Sequence, residues 1–126
     1  MALAENDLTK TIAEDEVALM HHYICEGIGD TKRLRLLYLV AERPRNVTEL
    51  TDLLAVTQPT VSHHLRILRE RGLVKARRDG TSIFYSLGDS RIINAMNMLR
   101  EFVADLLEKN THLHDYMIRD SKEGRS

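Results

Sequence analysis

The sequence predicts a mainly α-helical fold that carries a small β-hairpin, and two observations lead to this class. Apolar residues recur every three or four positions along most of the chain, which is the period of an amphipathic helix. Between residues 73 and 87 the period changes to two, and Asp79-Gly80 in the middle of this stretch is a strong hairpin signal. Because 126 residues suffice for one modest core, we expect a single domain over residues 1–126.

Composition and cysteine content are typical of a cytoplasmic globular protein. Hydrophobic residues make up 43% of the chain and charged residues 29%. No apolar run approaches the roughly 18 residues that span a membrane, and the acidic start "MALAENDLTK" differs from a secretory signal. The single cysteine excludes an internal disulfide framework. We therefore expect a cytoplasmic protein that has no membrane partner.

Charge is distributed unevenly along a chain whose net charge is only −1. Residues 1–30 contain seven acidic residues and one lysine. Residues 57–80 contain six basic residues and two acidic ones, a local net charge of +4. A positive segment in a nearly neutral protein indicates where a polyanionic partner would bind.

The first two helices are predicted from apolar spacing and from their end signals. "GIGD" at 27–30 ends the first helix, Asp30 or Thr31 can cap the second, and Pro44 stops it. The apolar residues that mark the first helix are Ile12, Val17, Met20 and Ile24. Those expected to pack the second, which we predict to lie wholly in the core, are Leu34, Leu37, Leu39 and Val40.

Two shorter helices with a tight connection between them follow, over about residues 47–71. The first begins at Thr48, and its inward residues are predicted to be Leu50, Leu53 and Leu54. Thr57 is a natural N-cap for the second, whose first turn holds Pro59, where the missing N–H costs nothing. The second has a narrow apolar stripe at i, i+4 and i+7, formed by Val61, Leu65 and Leu68. This arrangement is a helix-turn-helix.

A two-stranded wing and a long final helix complete the predicted fold. "LVKARR" and "SIFYSL" alternate apolar with polar residues and are joined by "RDGT", which gives a wing over 73–87. A helix from Ser90 to about Asn110 precedes a polar tail over 119–126. The apolar seam of this helix is Ile92, Met96, Leu99, Val103 and Leu106. The predicted order is four helices, two strands and a fifth helix, a winged helix-turn-helix.

The outward face of the second helix of this pair indicates DNA binding. A helix fits the major groove, where polar side chains can read base edges while arginines hold phosphates. The candidates for base edges are Gln58, Thr60, Ser62 and His63. The candidates for phosphate or groove contacts are Arg66, Arg77 and Arg78. A merely solvated helix face is the alternative, but helix, turn, helix and wing in this order favour the DNA reading.

Three further residues in this region are expected to have structural roles. His64 lies about 60° from Val61 around the helix, so we predict a hydrogen-bonded packing residue and not a base reader. Gly72 and Gly80 are better explained by the backbone geometry of turns than by contact with a ligand.

The stretches "GDTKRLRLLYLV" and "VTELTDLLAVTQPTVSHHLRILRERGLVKARRDGTSIFYSL" resemble the ArsR/SmtB family of bacterial winged-helix repressors over about residues 28–88. The resemblance implies a homodimer, formed largely by the first and last helices at 12–26 and 90–114. Such a dimer binds a near-palindromic double-stranded DNA operator and leaves it when an inducer, commonly a metal ion, is sensed. The dimer would have two copies of the helix that carries Gln58 to Arg66, about 34 Å apart, and these would meet successive major grooves.

The metal-binding patterns of that family are mostly missing. Where the resemblance implies paired cysteines, "PRNVTEL" has Asn46 and Thr48, and only Glu49 keeps an acidic side chain. In the last helix Asp89 is followed by Arg91 where a histidine would be required. An arginine cannot ligate zinc.

Other side chains could still hold a transition metal such as nickel or zinc. His21 and Cys25 are spaced i, i+4 on the first helix, and the last helix is followed by His112 and His114. If the two helices pack together, these groups could converge on a borderline metal ion. The alternatives are polar surface histidines, a cysteine that packs as a small apolar residue, and a regulator that has no small ligand.

Two other functions are alternatives to a DNA-binding repressor. A winged helix can lose sequence reading and dock another protein, but such a surface would show more exposed apolar residues than the polar stretch from Gln58 to His63. An enzyme is not supported, because the sequence shows no Gly-rich loop, nucleophile motif or carboxylate pair.

Overall fold

The structure is a computed structural model that describes residues 13–110 and 118–119. The chain divides into two compact units, Met1–Asp89 and Ser90–Ser126. Within the described residues, the first unit contains four helices and a three-stranded sheet, and the second contains a long helix. The mainly helical class with a small β wing is therefore confirmed.

Helix α1 is continuous over residues 14–28 but changes its winding in the middle. It is α-helical over Glu14–Met20, forms a π-helical turn over His21–Cys25, and ends with one α-helical turn over Glu26–Ile28. The apolar spacing predicts a helix here but not its π-helical turn. Such turns place residues i and i+5 close together.

Helix α2 spans Thr31–Glu42, and its cap is Asp30, one of the two predicted candidates. The Asp30 Oδ1 accepts hydrogen bonds from the backbone N–H groups of Lys32 at 2.8 Å and Arg33 at 3.3 Å. The prediction that this helix lies wholly in the core is wrong, because Arg35 is exposed and Leu34 is only half-buried.

The inward face of α2 differs from the predicted one by a rotation of the helix. Leu36, Leu37 and Val40 are buried, whereas Leu39 is half-buried together with Leu34. The unbroken apolar run from Leu36 to Ala41 leaves the sequence pattern ambiguous about which of its residues point inward.

Helix α3 spans Val47–Leu54 and helix α4 spans Gln58–Glu70. The prediction that α3 begins at Thr48 misses one residue, because the Asn46 side chain caps the helix by accepting a hydrogen bond from the Glu49 N–H at 2.9 Å. Leu53 was predicted to face inward but is 45% exposed, while Leu50 and Leu54 are buried as predicted.

The wing belongs to a three-stranded antiparallel sheet of order β1-β3-β2, in which β1 is Arg45–Asn46, β2 is Val74–Asp79 and β3 is Ser82–Leu87. Pairing of β2 with β3 runs from Val74 opposite Leu87 to Asp79 opposite Ser82. The predicted hairpin is confirmed, and Gly80 adopts the positive φ of 64° that its tight turn requires. The prediction of only two strands is wrong, since β1 pairs with β3.

The core of the first unit lies between α2, α3, α4 and the start of β2. Its buried apolar residues are Leu36, Leu37, Val40, Leu50, Leu54, Val61, Leu65, Leu68, Leu73 and Val74. Their burial fixes the orientation of α4, so the opposite face of this helix is turned to solvent.

The second unit contains helix α5, which spans Ser90–Lys109. Met96 is buried, but several apolar side chains are exposed, namely Met98, Leu99, Phe102, Val103 and Leu106. Apart from Arg119, the predicted polar tail lies outside the described residues, as do residues 111–114 of the predicted last helix. Among the residues that the structure describes, no helix is both long and apolar enough to span a membrane.

Candidate nucleic-acid interface

Helix α4 separates an apolar face from a polar one, as its sequence predicts. Val61, Leu65 and Leu68 are fully buried. The predicted DNA-contacting residues of this helix are exposed except for Thr60, which is half-buried; the exposed ones are Gln58, Ser62, His63 and Arg66. The helix therefore presents a row of polar side chains that none of the described residues of its own unit covers.

The turn between α3 and α4 sets the angle at which α4 leaves the core. Ala55 adopts the left-handed conformation with φ 56°, and its N–H donates to the Thr51 carbonyl oxygen at 2.9 Å. Thr57 lies at the predicted N-cap position of α4, but its hydroxyl makes no capping hydrogen bond. It pairs instead with the hydroxyl of Thr60 at 2.8 Å, so Thr60 has a partner within the protein.

His63 is held in one tautomer by a neighbour on the same helix. The Arg66 guanidinium donates from Nη2 to His63 Nδ1 at 3.2 Å. Because a guanidinium has no acceptor, the Nδ1 must accept, and the ring proton of the neutral imidazole lies on Nε2. His63 consequently offers an N–H donor to an acceptor on a base edge.

His64 has a different environment, although it is the next residue. It is 8% exposed, and its Nδ1 lies 3.1 Å from Arg33 Nη1 while its Nε2 lies 4.0 Å from Asp30 Oδ1. Burial lowers the pKa of His64 below its ordinary value of 6.5, and the charge of Arg33 adds to this effect. The prediction of a hydrogen-bonded packing residue is confirmed.

Two arginines that the sequence reading did not single out connect the helices around this site. Arg33 donates from Nε to the Gly27 carbonyl oxygen at 2.7 Å and from Nη2 to that of Glu26 at 3.2 Å. Arg71, which follows α4, pairs with the Glu26 carboxylate at 3.3 Å and donates to the His22 carbonyl oxygen. These contacts attach the end of α1 to α2 and to the end of α4.

A signal for Arg33 was present in the sequence. It precedes Leu36 and Leu37 by three and four residues, so it lies on the apolar face of α2. A charged residue on such a face indicates a partner in the interior, because burying a charge without one is costly.

The two arginines of the wing point to opposite faces of the hairpin. Arg77 pairs with Phe84 and Arg78 with Ile83, and adjacent residues of a strand point to opposite sides of a sheet. Arg78 shares its face with the buried Val74, while Arg77 shares the outer face with Phe84. Both side chains are exposed, but they cannot make equivalent contacts with a partner.

The junction of α2 and α3 does not fit the metal box that the family resemblance implies. Asn46 serves as the cap of α3, and the Glu49 carboxylate accepts from Arg43 Nη2 at 2.7 Å and lies 3.7 Å from Arg45 Nη1. The hydrogen bond from Arg43 lowers the pKa of Glu49. The carboxylate is thus paired with cations, and no thiol is present at this position.

The predicted metal ligands of the first helix lie in its π-helical turn. His21 and Cys25 are exposed, and His21 Nδ1 lies 3.4 Å from Glu26 Oε1. Within residues 13–110 and 118–119, no three His, Cys, Asp or Glu side chains come together as a metal site. His112 and His114 lie outside the described residues, so the four-residue site stays a prediction.

Comparison with known proteins assigns the chain to a family. Residues 30–76 match the family described as "Bacterial regulatory protein, arsR family". An uncharacterized HTH-type transcriptional regulator of Methanocaldococcus jannaschii is 42% identical over 79 residues, which cover 62% of this chain and 89% of that protein. A "Transcriptional repressor SmtB homolog" of Synechocystis sp. is 42% identical over 84 residues, covering 67% of this chain but only 61% of the relative.

A solved structure shows the same fold. It is the homodimeric winged helix-turn-helix DNA-binding domain (fragment 1-100) of Mb0332 from Mycobacterium bovis, a possible ArsR-family transcriptional regulator. The two are 25% identical with a TM-score of 0.65, and the match covers 80% of this chain and 94% of the other. The chain therefore belongs to the arsR family of bacterial regulatory proteins and is a DNA-binding transcriptional regulator, not an enzyme.

Proposed function

We propose that this regulator is a repressor that binds a near-palindromic, double-stranded DNA operator as a homodimer. The observation that carries this proposal is the polar face of α4, which is exposed beside a basic wing while the opposite face is fully buried. The relative from Synechocystis named as a repressor and the homodimeric domain from Mycobacterium bovis support it.

Base reading is assigned to the first half of α4. The three exposed residues Gln58, Ser62 and His63 are the main candidates, because the Thr60 hydroxyl already has Thr57 as a partner. The Nε2–H of His63 suits the acceptors of a guanine or a thymine edge in the major groove. Arg66, Arg77 and Arg78 are assigned to phosphates.

Dimerisation is assigned to the exposed apolar side chains of α1 and α5. In α1 these are Val17, Leu19, Met20, Tyr23 and Ile24, and in α5 they include Leu99 and Phe102. Runs of exposed apolar residues on helices mark interaction surfaces, and a second copy of the chain would bury the same residues on both sides. A dimer would present two copies of α4.

Release from the operator by a transition metal such as nickel or zinc stays a prediction for His21, Cys25, His112 and His114. The capped and ion-paired junction of α2 and α3 does not support a site at the metal box that the family resemblance implies there. An inducer of another kind, or none, is the competing proposal.

The salt dependence of DNA binding tests the proposed function. A duplex is first selected by the protein from a randomised pool, and its Kd is measured from low to moderate salt. We expect a steep slope for wild type. Replacing the wing arginine that meets phosphate, Arg77 or Arg78, with alanine should lower the slope by about 2, since the dimer loses two contacts and each releases about one counterion. Lys109→Ala, at the exposed end of α5, is the control that should leave the slope unchanged.

A slope near zero, or no selected duplex at all, would contradict the proposal and favour a module that docks another protein. Because Arg77 and Arg78 lie on opposite faces, a loss confined to one of them would identify the face of the wing that meets DNA.

Specificity should depend on α4 and not on the wing. His63→Ala or Gln58→Ala should weaken binding to the selected duplex by about 1–3 kcal/mol and change binding to a scrambled duplex far less. The wing variant that lowers the salt slope, Arg77→Ala or Arg78→Ala, is the comparison, since loss of a phosphate contact should weaken both duplexes alike. Competition titrations with the two duplexes measure the difference, and equal losses on both after His63→Ala would show that His63 does not read bases.

A further inference from the structure

We propose that His64 is a positioning residue, a neutral imidazole held between Arg33 and Asp30. It fixes the position of α4 against α2, and its protonation weakens DNA binding at acid pH. The inference rests on the proposed function, because it concerns how the reading helix is held. It assigns a role to a side chain that faces the interior and not the DNA.

The contacts determine the tautomer of His64. Arg33 Nη1 can only donate, so His64 Nδ1, at 3.1 Å, must be the unprotonated nitrogen and accept. The proton of the neutral ring is then on Nε2, which faces Asp30 Oδ1 at 4.0 Å. This second distance is too long for a hydrogen bond, so the interaction there is electrostatic.

Both partners of His64 are themselves fixed by the backbone. Arg33 donates to the carbonyl oxygens of Gly27 and Glu26 at the end of α1, and Asp30 caps α2 by accepting from the N–H groups of Lys32 and Arg33. The imidazole therefore has one position relative to α1 and α2.

The position of His64 is transmitted to the reading face through the helix itself. His63, a candidate base reader, is the adjacent residue, and the two rings lie 5.5 Å apart. A change in how His64 is held would therefore change where His63 points.

Protonation would disrupt this arrangement. A proton on Nδ1 would turn the acceptor into a donor that faces the Arg33 guanidinium, and two cations would be in contact. The charged or titratable groups that face His64 are Asp30, Lys32 and Arg33 from the N-terminal end of α2 and His63 from α4. Asp30 favours the protonated ring, while the other three oppose it.

The sign of the pH dependence follows from these contacts. Burial lowers the pKa of His64 below 6.5, so the folded protein binds this proton more weakly than the unfolded chain does. Burial alone would raise the pKa of Asp30, but hydrogen bonds from the backbone outweigh it, the pKa is lowered, and Asp30 stays ionised. The contribution of the neutral His64 to the stability of this arrangement is complete above pH 6.5 and is lost as the pH falls through the lowered pKa of His64.

Two substitutions separate positioning from general packing. In His64→Gln the amide oxygen can accept from Arg33, and the side chain has no proton to gain. At pH 7.5 we expect this variant to bind the duplex selected by wild type within about threefold of wild type, as for a retained hydrogen bond. His64→Leu removes the acceptor and leaves an N–H of the half-buried Arg33 guanidinium without it, so a loss of about tenfold is expected.

The decisive comparison is the pH profile between pH 7.5 and 5. Each affinity is normalised to the value of the same variant at pH 7.5. The affinity of wild type should fall more steeply with acid than the affinity of His64→Gln. His63→Gln makes the same change at the exposed neighbour, and its affinity should fall as steeply as that of wild type. If His64→Gln weakens as steeply as wild type, or if His64→Leu binds as wild type does at pH 7.5, the proposal is overturned.

A spectroscopic readout makes the test independent of DNA. Nitrogen-15 NMR of the imidazole rings in the full chain should show His64 as the Nε2–H tautomer at pH 7.5, and Arg33→Leu should abolish this preference. An Nδ1–H tautomer in wild type would overturn the proposal even if His64→Leu failed to fold. If wild type selects no duplex, the proposed function fails, whereas the tautomer is still decided by NMR.

Discussion

Replacing Leu99 with aspartate should separate the dimer and lower the affinity for the selected duplex by about 100-fold or more, the low end of what joining two binding sites contributes. Leu99 lies in the middle of α5 and is 59% exposed, close in sequence to Phe102, which is 62% exposed. If a second chain covers these side chains, an aspartate there would bury an unpaired charge at the interface. Sedimentation equilibrium and DNA titration of the same sample measure both effects.

The matched control for this change is Asn97→Asp. It introduces the same charge two residues away on an exposed position, about 200° around the helix from Leu99. Circular dichroism would show that both variants keep their helices. A Leu99→Asp protein that stays dimeric and binds DNA as wild type does would remove α5 from the proposed interface.

Replacing Gly88 with alanine should destabilise the fold by about 3 kcal/mol, the upper part of the range for overpacking. Gly88 follows β3, and its N–H donates to the Leu73 carbonyl oxygen at 2.9 Å. A Cβ added there would lie 2.3 Å from the Gly72 carbonyl oxygen, a backbone atom that cannot move alone. The base of the wing and the end of α4 would therefore have to separate.

Gly72→Ala is the comparison for this prediction. Gly72 has a φ of 73°, but a Cβ there would meet nothing within 4 Å, so only the conformational cost of about 1–2 kcal/mol applies. Urea unfolding of both variants gives the two free energies of unfolding. A larger loss for Gly72→Ala than for Gly88→Ala would contradict the expected clash at Gly88.

The sequence predicts the helix-turn-helix and the hairpin well because both have strong local signals. The three-residue stripe of α4 has a helical period, and Asp79-Gly80 lies between two alternating strands. By contrast, β1 has two residues, too few for any period, and its pairing with β3 depends on a segment nearly forty residues later in the chain. The apolar run in α2 likewise could not show that Leu36 points inward and Leu34 does not.

The polar residues of the site were predicted in part. The helical angle distinguished the exposed His63 from the buried His64, and the structure confirms that difference. The pairing of His64 with Arg33 joins residues 31 positions apart, and a single sequence does not show such contacts. The sequence-based prediction gives Arg77 and Arg78 the same role, although the alternation of side chains along a strand already places them on opposite faces.

In the proposed dimer, two copies of α4 meet successive major grooves of one operator. Hydroxyl-radical footprinting of wild type on the selected duplex tests it most directly. We predict two protected patches on one face of the duplex, about 34 Å apart. A single patch, occupied by one chain, would contradict the claim.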